Sequence, residues 1–465
     1  MIDWTTVIRV AADAWIAERR GPDALLRRQF ERLASLVSHV RVYSPYYRDL
    51  YTGLPAGAPP LTDLPVTHKQ ELMGRFDDWV TDKRVTLDDL RAFIADPTLI
   101  GVRYLDEYFV CRSSGTTGFP GVFLTDRATM SLAYGSNALS GLRMLSRARW
   151  RRLITKGMRE ATVVGTGGHF AGVASIRMQH LDHPHRKQRE RAFSVEQPLS
   201  GLVAQLNEFG PAILTAYPSA LKQLTREQLA GRLRVQPALL ATAGETISVE
   251  ERLGIAEVFG AYVVDGYACS ECILIAAVCS QEWLHYRNDW MILEPVDVHH
   301  QPVPPGQLSE TVLLTNLTNR VQPFIRYDLG DSILMRPDPC ECGSPLPAFK
   351  VAGRQDDVLR LASNGTTVEI LPLAIASVIE GVDGLDRFQI IQDGPSAIAV
   401  RISCDDRDRG AVWDAASKSL GEFLGRNDLG SVVVRLEDRP PDGLGASGKF
   451  RQVIGATARQ LAGQR

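Results

Sequence analysis

The rhythm of apolar and polar positions changes along the chain. In "DALLRRQFERLASLVSHV", Leu25, Phe30, Leu33 and Leu36 fall near one face of a helix, with Arg and Glu on the others. The first ~50 residues therefore read as helices. "SPYYRDL" and "LPAGAPPLTDLPVTHKQEL" then give a proline-rich stretch before another short helix. "YFV" and "VFLT" are short β-like runs that flank "CRSSGTTGFPGVF", a loop of glycines and hydroxyls. From 151 to 330 short apolar runs ("ATVVGT", "AILTAY", "ALLATAG", "AYVVDGYA") alternate with helical segments such as "PSALKQLTREQLA". Strand and helix in alternation predict an α/β architecture with much parallel sheet, whose ligand crevice lies off the carboxyl ends of the strands. Residues 353 to 365, "GRQDDVLRLASNG", are charged and lack apolar periodicity, so a domain boundary is expected there. Beyond it, "RFQIIQ", "AIAVRIS" and "SVVVRLED" read as strands, and "ILPLAIASVIEGV" and "AVWDAASKSLGEFLG" as helices. These predict a small α+β domain, closed by the Gly-rich "PDGLGASGKFRQVI".

Composition narrows the function classes. A chain of 465 residues exceeds one compact core. Its 45% hydrophobic and 23% charged content is that of an ordinary globular protein, and a net charge of −2 gives no reason to expect nucleic acid. No apolar run reaches bilayer length and the N-terminus is not a signal peptide, so no membrane association and a cytoplasmic location are expected. Seven cysteines, an odd number, point to thiols or metal ligands in a reducing compartment rather than to disulfides.

The Gly/Ser/Thr loop can hold phosphate oxygens through close backbone approach, hydroxyls and N–H groups, or be a plain hairpin loop. No Gly-Lys-Ser/Thr follows, so it is not a Walker loop. The ordered series "SSGTTGFPG", "AGET", "DGYACSE", "RYDLGD", "GRQDD" and "SGKFR" resembles the adenylate-forming superfamily. "SPYYRDL", "LPVTHKQEL" and "AYPSAL" are similar to its phenylacetate–CoA ligase branch, and the resemblance runs from about residue 40 to 455.

The resemblance implies a large N-terminal domain, 1–353, with mixed and parallel sheets and helices that binds ATP and acid. It also implies a small mobile α+β lid, 357–465, with a hinge near 354–357. The activity implied is ATP-dependent adenylation of a small aromatic carboxylic acid to acyl-AMP. Transfer to CoA with release of AMP would follow. The alternative is a different acceptor: AMP transfer to a hydroxyl, or attack by an amine or nitrite nucleophile.

Motif by motif, Ser113, Ser114, Gly115, Thr116, Thr117 and Gly118 would cradle the phosphates of ATP. Glu271 would hold Mg²⁺, a hard ligand for a hard cation. Gly244, Glu245 and Tyr267 would lie at the adenine, and Asp331 would accept hydrogen bonds from the ribose hydroxyls. Arg354 would contact ribose or phosphate, and Asp356 is the hinge. Lys449 would neutralise charge as the adenylate forms. His169, Phe170, Tyr217, Ala243 and Ala268 would line the acid pocket. Cys279, His285, Cys340 and Cys342 would form a structural Zn²⁺ site, as in some relatives, while Cys269 and Cys272 read as packing or pocket residues. Homodimers are common among similar enzymes. Two departures stand out: Phe119 replaces a loop lysine found in many relatives, and "RLASNGTTVEILP" is a loose match to the turn that opens the pantetheine tunnel.

Overall fold

The computed structural model describes residues 4–455 apart from 56, 58, 114–120, 144–145, 243, 245–246, 248, 352–358, 364–365, 371, 380, 386, 406 and 442–452. Its centre is a nine-stranded mixed sheet. Five strands are parallel neighbours in the order Glu190–Ser194, Glu160–Val164, Ile213–Ala216, Leu239–Thr242 and Tyr262–Cys269. The last four match short apolar runs, whereas Glu190–Ser194 was not expected as a strand, and Ala161, Val163, Leu214, Leu240 and Val263 are buried. At Tyr262–Cys269 the direction changes. Cys272–Val278, Leu284–Tyr286, Ala348–Val351 and Ile333–Met335 continue the sheet antiparallel.

Two smaller sheets bear on the site. Phe109–Arg112 pairs antiparallel with Val122–Thr125, the strands that flank the Gly/Ser/Thr run in sequence. Met291–Val296, Thr311–Asn316 and Tyr327–Asp328 form a three-stranded antiparallel sheet. A single large apolar cluster joins these sheets to the N-terminal helices, with Trp79, Tyr46, Tyr47, Phe123 and Phe324 fully buried.

The N-terminal helices are Trp4–Arg19, Pro22–Tyr43 and Pro45–Leu50. Leu25, Leu33 and Leu36 are buried as expected, but Phe30 is 71% exposed. At 100° per residue, Phe30 lies 140° from Leu25, outside the stripe that Val37 and Val40 complete. In the C-terminal part, Leu359–Ser363 pairs with Thr366–Ile370. Leu359 and Leu361 alternate into the interior, so this charged stretch carries a strand where no periodicity was expected. Val433–Leu436, Ala397–Ser403, Arg387–Gln392 and Val453–Ile454 form a four-stranded sheet, packed with helices Pro372–Ile379 and Arg409–Arg426. Gln223 Nε2, on helix Pro218–Leu229, donates to the Glu369 carbonyl at 2.6 Å, linking the hairpin to the parallel sheet.

Candidate active site

Among the described residues, Tyr267, Glu271, Tyr327 and Asp331 come together where the sheet changes direction. Tyr262–Cys269 is the last parallel strand, and the turn Ser270–Glu271 joins it to Cys272–Val278. Glu271 is thus presented at a parallel strand's carboxyl end, where open α/β sheets bind ligands. Its Oε1 accepts the Tyr327 hydroxyl at 3.0 Å, and its carbonyl accepts Asn316 Nδ2 at 3.3 Å. Asp331 is buried, and its Oδ2 accepts the Tyr267 hydroxyl at 2.6 Å. Burial and the neighbouring Glu271 hold the Tyr327 phenol well above its ordinary range, so it stays a donor. Two carboxylates from separate motifs are each oriented by a phenol from the other's side of the site.

The backbone around them is tightly held. Asp328 Oδ1 accepts the Thr311 hydroxyl at 2.5 Å and the Gly330 N–H at 2.8 Å, shaping the turn that leads to Asp331. Arg326 has φ +47, in the left-handed region. Its guanidinium is buried against Glu294 at 3.2 Å and the carbonyls of Thr62 and Leu64. Arg326 therefore anchors the motif to the N-terminal segment.

Where strand Phe109–Arg112 ends, Ser113 Oγ accepts the Gly121 N–H at 3.0 Å and Lys69 Nζ at 2.9 Å. Sequence reasoning gave Lys69 no role, although it lies within "LPVTHKQEL". Gly244 has φ +88 and an added Cβ would meet the Tyr217 ring at 3.2 Å, so both flexibility and space require glycine there.

Ser114, Gly115, Thr116, Thr117, Gly118, Ala243, Glu245, Arg354, Asp356 and Lys449 lie outside the described residues. Tyr217 and Ala268 are half-buried. His169 is buried, with Nε2 3.2 Å from the Asp96 carbonyl and its ring 5.5 Å from that of Phe93. Burial pushes its imidazole down, which keeps it neutral. Phe170 is buried beneath the Arg112 guanidinium, 4.8 Å from its ring centre.

A cavity of about 880 Å³ runs from Glu271 and Cys272 to His285 and Cys342, bordered also by Trp15 and Asn316. At its far end the donor atoms of Cys279, His285, Cys340 and Cys342 lie within 4.8 Å of one another. Cys279 and Cys340 sulfurs are 3.8 Å apart, and Cys342 Sγ is 3.3 Å from His285 Nε2. Tetrahedral Zn–S bonds of about 2.3 Å require sulfur separations of about 3.8 Å. His285 Nδ1 sits 2.8 Å from the Leu346 carbonyl, which fixes the tautomer that turns the Nε2 lone pair toward the sulfurs. The set fits a tetrahedral, thiolate-preferring cation.

No family model matches the chain. Phenylacetate-coenzyme A ligase of Thermus thermophilus is 26% identical over 379 residues, spanning 76% of each chain. Among solved structures, 2-hydroxyisobutyryl-CoA ligase with 2-HIB-AMP and CoA in the thioesterification state aligns with a TM-score of 0.54 at 21% identity, covering 94% of this chain and 91% of that one. The same enzyme with 2-HIB-AMP in the postadenylation state gives 0.51 at 20% identity over 95% and 91%. These structural likenesses carry the fold, and the curated match carries the sequence resemblance. The chain thus has the mixed α/β fold of the adenylate-forming acyl-CoA ligases and resembles their phenylacetate–CoA ligase branch.

Proposed function

We propose that the protein is an ATP-dependent acid–CoA ligase that adenylates a small, aromatic carboxylic acid and passes the acyl group to CoA. One observation carries the reading. Glu271 and Asp331, from different motifs, meet at one strand end, each accepting a tyrosyl hydroxyl at 3.0 and 2.6 Å respectively. A carboxylate is a poor acyl donor until its oxygen becomes part of a better leaving group, and AMP provides one. The reaction therefore needs charge neutralisation and positioning more than covalent chemistry from the protein.

In this reading Glu271 binds Mg²⁺, which supplies charge neutralisation at the phosphate oxygens when bound. Asp331 anchors the ribose, with Tyr267 holding its carboxylate in place. Ser113 opens the phosphate loop, and Lys69 brings a cation to its base. Lys449 acts on the charge that develops at the α-phosphate, and residues 357–465 turn about Asp356 between the two half-reactions.

The direct test is pyrophosphate release with ATP, Mg²⁺ and a panel of aryl and short-chain acids, with and without CoA, followed by mass analysis. Acid-dependent release with a CoA thioester and free AMP is expected. Product that retains AMP would replace ligation with nucleotidyl transfer, and no release with any acid would overturn adenylation.

The Cys279–His285–Cys340–Cys342 cluster holds a structural Zn²⁺ in the same proposal. The 3.8 Å sulfur separation and the oriented His285 support it. Elemental analysis is expected to give about one zinc per chain, lost in Cys340→Ser. Metal-free protein that is well folded would end this part of the proposal.

A further inference from the structure

Cys269 and Cys272 are register partners on antiparallel strands, separated only by Ser270 and Glu271. Directly opposed residues of such a pair point to one face of the sheet, with Cα atoms about 4.5–5.5 Å apart. That spacing lies inside the range a disulfide spans, about 4.4–6.8 Å. Cys269 Sγ is already 3.7 Å from the Cys272 carbonyl oxygen, so its sulfur leans across the turn. The ladder is irregular between Tyr267 and Cys269, which leaves the turn able to adjust without shifting the whole strand pair. Neither residue is in a disulfide, and Cys272 borders the 880 Å³ cavity, which gives a small oxidant a route to its sulfur.

We propose that Cys269 and Cys272 form a dithiol modification site that hydroperoxides close into a disulfide, and that closure restrains Glu271, which lies between them, and slows the reaction. The Cys272 sulfur attacks one peroxide oxygen, the O–O bond breaks, and water leaves a sulfenic acid on Cys272. The Cys269 sulfur then attacks the Cys272 sulfur and displaces the hydroxyl as a second water. Two thiols and one hydrogen peroxide give one disulfide and two waters, with the thiols oxidised and the peroxide reduced.

Glu271 lies within the ring that this bond closes. Closure restrains the backbone of Ser270 and Glu271, the segment whose carbonyl accepts Asn316 and whose carboxylate accepts Tyr327. The disulfide itself follows from the hairpin alone; its effect on rate rests on the proposed role of Glu271.

The test treats the full-length protein with hydrogen peroxide, alkylates the remaining thiols under denaturing conditions and maps the peptides by mass spectrometry. The expected peptide carries Cys269 and Cys272 unalkylated and two hydrogens lighter. Pyrophosphate release should fall at least tenfold and return with dithiothreitol, while Cys272→Ser keeps its own untreated rate under the same oxidant. Alkylation of both residues after an exposure that oxidises Cys404 would overturn the site. A disulfide that forms without changing the rate would overturn the control of Glu271. Absence of pyrophosphate release before treatment would sink the ligase reading instead, and the peptide map would still decide the dithiol.

Discussion

Glu271 and Asp331 gather at the carboxyl end of strand Tyr262–Cys269, whereas Glu160 and Glu190 open two neighbouring parallel strands at their amino ends. The first two accept hydroxyl hydrogens from Tyr327 and Tyr267. The second two face each other as register partners. Arg186 pairs with Glu190, His180 Nε2 stands 3.8 Å from it, and Tyr134 feels both carboxyls. Burial and the charge of Glu190 push Glu160 up to about 7, outweighing Arg186. Carboxylates are thus each held by a phenol at one end of the sheet, while at the other Glu160 is buried beside a second carboxylate and is costly to ionise. A hydroxyl donor on one oxygen of each carboxylate marks the first pair, whereas the second pair shares the Arg186 cation.

The sharpest way to break this comparison is to remove charge at the carboxyl end. Glu271→Gln is expected to lower kcat for pyrophosphate release by about 10²–10³, or roughly 3–4 kcal/mol, with an unchanged thermal midpoint. A variant that loses stability in step with rate would make Glu271 a structural carboxylate like Glu190.

The same change at the amino end should act oppositely. Glu160 has a folded pKa above its unfolded value, so the folded state binds the extra proton. Its stabilising contribution is complete below the ordinary glutamate range and is lost as pH rises through about 7. Glu160→Gln, neutral throughout, should therefore gain about 1–2 kcal/mol over the parent at pH 8 relative to pH 5. Urea unfolding at the two pH values measures this. An equal gap at both would show that Glu160 ionises freely, and the contrast between the two ends would vanish.

How much of this was legible in the sequence depends on the range of the interaction. Four of the five parallel strands were readable because burial on both faces leaves short uninterrupted apolar runs, as in "ATVVGT" and "AYVVDGYA", while Glu190–Ser194, with charged and polar residues, was not. Helix Pro22–Tyr43 was readable as a helix, yet Phe30 was assigned to the wrong face because periodicity tolerates a residue at the stripe's margin. Glu271 and Asp331 were singled out through motif order, but the tyrosines that hydrogen-bond them were not read as their partners. Tyr327 is 56 residues from Glu271, and Tyr267 is 64 from Asp331. Lys69 meets Ser113 across 44 residues for the same reason. Nothing local marked Glu160 and Glu190 as partners, since parallel pairing with an intervening helix brings them together. The cysteine and histidine set was legible as residue types, while the 3.8 Å sulfur spacing needed strand Leu284–Tyr286 to pair with Ala348–Val351.

The smallest expected effect tests the orienting donor directly. Tyr267→Phe removes one hydroxyl and keeps the ring that packs edge-on against Phe349 at 5.6 Å. The core contact survives, so the thermal midpoint should hardly move. Asp331 keeps its charge and its buried position but loses the donor that fixes one oxygen. A net hydrogen bond of this kind contributes about 0.5–1.5 kcal/mol, which corresponds to a two- to tenfold change. Because the proposed role of Asp331 is to hold the ribose in both ground and transition states, the loss should fall on the KM for ATP, with kcat nearly intact. A drop in kcat at constant KM would place the Tyr267–Asp331 pair at the reacting atoms instead, and would make it equivalent to the Tyr327–Glu271 pair rather than its ribose-side counterpart.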